Sequence, residues 1–116
     1  MNKVCLSGRL TTDPQLNEYE SDVKRCTIFV AHDDYYGESK KTGFYRVTSW
    51  GKKAELISQY FKTGMEIFLT GRLEQYRYED ENGKTVYDNG IVLEDFEFGR
   101  GTNIPRAESE LVTNPA

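Results

Sequence analysis

The run Phe44-Tyr45-Arg46-Val47-Thr48-Ser49-Trp50-Gly51-Lys52, followed on to Gly64, changes its period part-way along. From Phe44 to Trp50, successive side chains of a strand would put Phe44, Arg46, Thr48 and Trp50 on one face and Tyr45, Val47 and Ser49 on the other. From Lys52 to Lys62, Ala54, Leu56, Ile57, Tyr60 and Phe61 recur at helical intervals, and Gly64 stands where a left-handed C-terminal residue is wanted. A strand running straight into one short helix is the pivot of the fold.

Upstream of it, Lys3 to Leu10 alternates as a strand with Val4, Leu6, Gly8 and Leu10 on one side, and Thr11 to Pro14 breaks the pattern. Val23 to His32 gives a second strand, with Ile28 and Val30 inward and Phe29 beside Thr27 and Ala31 on the opposite, ring-bearing side. Asp33 to Gly43 reads as a charged, Gly-bearing turn. Downstream, Met65 to Tyr78 is a long strand carrying Ile67, Leu69 and Leu73 on one face and Arg72, Glu74, Tyr76 and Tyr78 on the other. Gly71 marks a bulge or bend, Asn82-Gly83 a hairpin turn, and Lys84 to Phe98 the returning strand. Five strands with a helix between the third and fourth is the order of the OB fold, an all-β Greek-key barrel. Residues 1–98 make that domain, and the Gly, Asn and Pro-bearing stretch 99–116 reads as a flexible tail. Gly-Arg-Leu occurs at Gly8–Leu10 and again at Gly71–Leu73, too short a match to mean duplication.

At 116 residues there is room for a single core. Neither a signal peptide nor a membrane-length apolar run is visible, so a soluble, cytoplasmic protein associated with the nucleoid is expected. Cys5 and Cys26 are too few for a zinc set, and reduced, buried thiols are expected. The net charge of −4 argues on its face against a polyanionic partner. Yet the acids collect in Asp33-Asp34, Glu79-Asp80-Glu81 and Glu94-Asp95-Phe96-Glu97, leaving the two ring-bearing strands neutral to basic. The local field governs binding. Flat rings interleaved with cations suit an unpaired nucleic-acid strand, whose bases stack and whose phosphates need counter-charge.

With these segments placed, the chain resembles the bacterial and phage single-stranded DNA-binding proteins. The resemblance rests on Met1-Asn2-Lys3-Val4, Gly8-Arg9-Leu10-Thr11, Asp13-Pro14, Phe44 to Thr48, Trp50-Gly51-Lys52, Ala54-Glu55, Tyr60, Gly64, Gly71-Arg72-Leu73 and Tyr78 to Gly83. It implies an OB fold, no catalysis, no cofactor or metal, and a homo-oligomer, usually a tetramer, around which single-stranded DNA wraps. It places base-stacking roles on Phe44, Trp50 and Tyr78, with Tyr36 as a fourth, and phosphate-facing roles on Arg46, Lys52 and Arg72, with Arg9 and Lys3 beside them. Tyr76 joins by strand phase without a family counterpart, while Tyr45 and Tyr60 are assigned to the core.

Three departures stand out. The family's housekeeping members end in an acidic tail with a hydrophobic tip that recruits replication and repair enzymes, whereas this chain closes Glu110-Leu111-Val112-Thr113-Asn114-Pro115-Ala116. Glu74 sets a carboxylate among the rings. Phe and Tyr also stand where the family often has larger indoles. A metal or general-base role for His32, beside Asp33 and Asp34, lacks a nucleophile, a second His or a Gly-rich phosphate loop. The rival reading from another class is an OB-fold adaptor of a replication or restart complex, with weak DNA affinity, favoured by the acidic balance.

Overall fold

The computed structural model describes residues 1–19 and 23–99, so the expected tail, Gly99 apart, lies outside the described residues. The elements in chain order are β1 (Val4–Leu10), β2 (Gln15–Glu18), β3 (Lys24–Tyr36), β4 (Ser39–Trp50), α1 (Lys52–Tyr60), β5 (Glu66–Glu79) and β6 (Thr85–Phe98). The sheet runs β1-β5-β6-β4-β3-β2, and β1 also pairs with β3, which closes β1, β3, β4, β6 and β5 into a five-stranded barrel. This is the OB fold. β4 and β6 pair parallel through Val47↔Ile91 and Thr48↔Val92, and the other pairings are antiparallel.

Alternation builds the interior. Cys26, Ile28 and Val30 of β3 face Ser49, Val47 and Tyr45 of β4, and the first five of these are buried. α1 plugs the barrel with Ala54 and Ile57, and Phe61 follows it into the core. The Phe61 ring stacks on Phe98 at 5.0 Å and meets Phe96 edge-on at 5.7 Å, a geometry aromatic quadrupoles favour. Gly64, at φ +90°, lies beyond the helix cap at Phe61; its N–H donates to the Leu10 carbonyl, tying the turn to β1.

The two Gly-Arg-Leu motifs share a steric cause. A Cβ on Gly8 would fall 2.2 Å from the Ala31 carbonyl oxygen, and one on Gly71 would fall 2.3 Å from that of Val92. Both are barrel corners where a neighbouring backbone passes too close for any side chain. The bend expected at Gly71 is there: the β5–β6 register slips between Thr70 and Gly71.

Several expectations need correction. Asp33 to Gly43 is no loop: Asp33↔Thr42 through Tyr36↔Ser39 continue the β3–β4 ladder as an arm, turned at Gly37 with φ +63°. Its charges deceive, because an arm projecting beyond the barrel is wet on both faces and needs no apolar alternation. β2, fully exposed and pairing only with β3, went unpredicted for the same reason. Leu73 has the inward phase but is 55% exposed. β1 pairing stops at Val4↔Gly71, so Leu73 already belongs to the β5–β6 arm, where the Asn2 side chain bridges its N–H and carbonyl. Cys5 is exposed on the outward phase of β1, whereas Cys26 is sealed in the core, and burial pushes its thiol pKa up to about 11. Tyr45 is partly exposed and Tyr60 half-buried against Phe98, so neither is a core ring.

Candidate nucleic-acid interface

Residues directly opposed across a ladder share a face. On the outer side, Arg25 opposes Trp50, Thr27 opposes Thr48, Phe29 opposes Arg46 and Ala31 opposes Phe44. Thr48 continues to Val92 on β6, which opposes Arg72 on β5, so the row Thr27, Thr48, Val92, Arg72 crosses four strands. Farther out, Glu74, Tyr76 and Tyr78 oppose Gly90, Asp88 and Val86. The result is an open groove of ≈ 540 Å³, lined by Trp50 and Arg25 at one end, by Tyr76 and Tyr78 at the other, and by Arg46 and Arg72 between.

Two cation–ring stacks fix the groove's side chains. The Arg46 guanidinium lies 4.8 Å from the Tyr76 ring centre and pairs with Asp88 at 3.3 Å. Gly90 makes this possible, since a Cβ there would come within 2.9 Å of the Tyr76 ring. At the other end Arg25 lies 5.2 Å from the Tyr19 ring and 5.9 Å from the Trp50 indole, whose own centres are 6.4 Å apart. Such contacts are worth roughly 0.5–1 kcal/mol where exposed and hold planar groups in place.

Of the residues singled out from sequence, Trp50, Tyr76, Tyr78, Arg46 and Arg72 line this groove together. Phe44 shares the face and is 68% exposed, two positions beyond Arg46 toward the β3–β4 arm. Tyr36 is exposed near the tip of that arm, but its phase is that of Asp34 and His32, the opposite face. Tyr35, equally exposed, has the phase of Phe29 and Ala31. Lys52 opens α1 and leaves the strand phase, its side chain out in solvent with Glu55 at 3.9 Å. Lys3 and Arg9 stand outside the groove, each held by a carboxylate: Lys3 by Glu94 at 2.9 Å and Arg9 by Asp33 at 3.0 Å. The Lys3 ammonium holds the Glu94 carboxyl below its ordinary range, and the Thr42 hydroxyl, then Arg9, does the same for Asp33.

This geometry has close relatives. Residues 1–99 match the single-strand binding protein family. A single-stranded DNA-binding protein of Fusobacterium nucleatum is 36% identical over 85% of this chain and 67% of its own length. Single-stranded DNA-binding protein 1 of Clostridium acetobutylicum is 34% identical over 84% and 93%. In fold, the chain matches the Plasmodium falciparum SSB in complex with ssDNA at a TM-score of 0.79, with 21% identity, over 85% of this chain and 95% of that one. The chain belongs to the single-strand binding protein family.

Within the family framework, residues that sequence reading passed over are Tyr19, Arg25 and Tyr35, and Thr27 was placed on the ring-bearing side without a role. Counting back by twos from Phe29 reaches Thr27 and Arg25, so the phase was present; what was missing was a ring beside them in sequence. Trp50 supplies that ring only across the ladder. His32 is accounted for structurally. Its Nδ1 lies 2.6 Å from the Ser7 carbonyl and its Nε2 lies 3.0 Å from Asp34, and both contacts favour the doubly protonated ring. The Ser7 hydrogen bond, then Asp34, raises its pKa above the ordinary value. Among the described residues no three His, Cys, Asp or Glu side chains are grouped to hold a metal ion, and no helix is long and apolar enough to cross a membrane.

Proposed function

We propose that this protein binds single-stranded DNA without sequence preference or catalysis, in the cytoplasm, shielding it during replication, repair, recombination or uptake. The observation that carries the reading is one open groove lined by Trp50, Tyr76 and Tyr78 together with Arg25, Arg46 and Arg72. Unpaired bases stack on Trp50, Tyr78 and Tyr76, with Phe44 extending the track along β4 and Tyr35 along the same face of the arm, while Tyr36 meets a strand only on the arm's other face. Arg72 meets the phosphates in the groove, Arg46 contributes what charge Asp88 leaves it, and Lys52 adds positive field from the start of α1. Each stacked base contributes about 1–3 kcal/mol, so a few rings per subunit give useful affinity. Lys3 and Arg9, already neutralised by neighbours, add only to the general field. Assembly into a homotetramer lengthens the path that one strand can follow. Duplex DNA binds poorly because its bases already stack on one another.

Titration with oligo-dT and with a duplex of equal length, followed by the fluorescence of Trp50, tests this. Quenching with clear preference for the single strand is expected. Absence of quenching, with equal affinity for both, overturns the reading in favour of an adaptor that keeps the barrel and lacks the ligand.

A further inference from the structure

The two cation–ring stacks differ in one respect that decides their electrostatics. Arg46 spends its charge on Asp88, 3.3 Å away. Arg25 makes no ion pair or hydrogen bond with any described residue; its Nε–H is buried without an acceptor among them, which leaves the terminal Nη groups to meet a ligand in the groove it lines. A buried donor left unsatisfied is costly. Two rings nevertheless hold the guanidinium in place. Next along the same face, Thr27 and Thr48 stand directly opposite each other, both lining the groove and neither hydroxyl bonded to a described residue. A positive planar group, with two hydroxyls next to it that are unpaired among the described residues and an exposed indole opposite, has the chemistry of an anion receptor.

We propose that Arg25, with the hydroxyls of Thr27 and Thr48, holds one phosphodiester of the single strand next to the base stacked on Trp50. The two non-bridging phosphate oxygens match the spacing of a guanidinium fork, which an ammonium cannot reproduce, and each keeps a lone pair for a threonine hydroxyl. The rings do double service: they hold the guanidinium in place, and the exposed indole takes the adjoining base. Arg25, and not Arg46, is then the chief phosphate contact of the groove. Asp88 makes Arg46 mainly a support for Tyr76.

The proposal rests on the single-strand reading above, and the experiment separates the two. Affinity for oligo-dT is measured from low to moderate salt for the wild type, Arg25→Gln, Arg25→Lys and Arg46→Gln, with Trp50 quenching at saturation recorded for each. Arg25→Gln is expected to lose affinity roughly tenfold and to lower the salt slope by about 0.7, the single-strand value for one phosphate. Arg25→Lys should keep the slope while losing affinity, because the charge remains and the fork does not. Arg46→Gln should change both less than Arg25→Gln does. An oligonucleotide with one uncharged methylphosphonate linkage at the matching position should bind wild type and Arg25→Gln alike, which separates a backbone contact from free phosphate. If the wild type binds oligo-dT and Arg25→Gln keeps its slope, Arg25 only supports the rings and the proposal is wrong. If the wild type does not bind, the functional reading itself fails.

Discussion

On the inner side of β4, Val47 and Ser49 are sealed against Ile28 and Cys26, whereas on the outer side Phe44 and Trp50 of the same strand stay 68% and 47% exposed. The inner side gains stability by excluding water. Outside, rings and cations lie where no neighbouring element covers them, at a cost in exposed apolar surface that a fold alone would not maintain. One strand thus separates folding from binding by parity, and substitutions on its two sides should fail in different assays.

The sharpest separation comes from the core. Phe61→Ala removes a ring that stacks on Phe98 and abuts Phe96, and should cost about 3–5 kcal/mol in denaturant unfolding. Trp50→Ala should leave the unfolding midpoint nearly unchanged yet lose about 1–3 kcal/mol of binding to oligo-dT. A comparable loss of stability in Trp50→Ala would break the division between the two faces. Asp88→Asn refines the picture within the groove. It frees Arg46 and removes a negative charge, so single-strand affinity at low salt should rise by at most about 1 kcal/mol, an increment that higher salt erases.

The smallest expected effect lies at the root of the β3–β4 arm. His32 has a native pKa raised above 6.5, so its contribution to stability is complete below about pH 6.5 and disappears as pH climbs through the raised value. The difference in thermal midpoint between wild type and His32→Gln should therefore shrink between pH 6 and pH 8, with no matching change in Trp50 quenching.

The barrel was legible in sequence because its strands are wet on one side only. Val47 stands between Arg46 and Thr48, Ile28 and Val30 repeat at every second position of β3, and the change of period after Trp50 announces α1. What escaped notice has no such contrast: β2 is exposed throughout, and the arm from Asp33 to Thr42 is charged on both faces. The site divides in the same way. Arg46, Trp50, Arg72, Tyr76 and Tyr78 are grouped by phase within two strands, so counting finds them. Arg25, Tyr19 and Asp88 join through register between strands, information that no single stretch contains.

The most direct measurement is photocrosslinking of the protein to an oligonucleotide carrying 5-iodouracil, with the attachment sites mapped by mass spectrometry. The account predicts attachment at Trp50, Phe44, Tyr76 and Tyr78, on the outer face of β4 and β5. Attachment confined to Phe68 or Tyr87, exposed rings that do not line the groove, would contradict it.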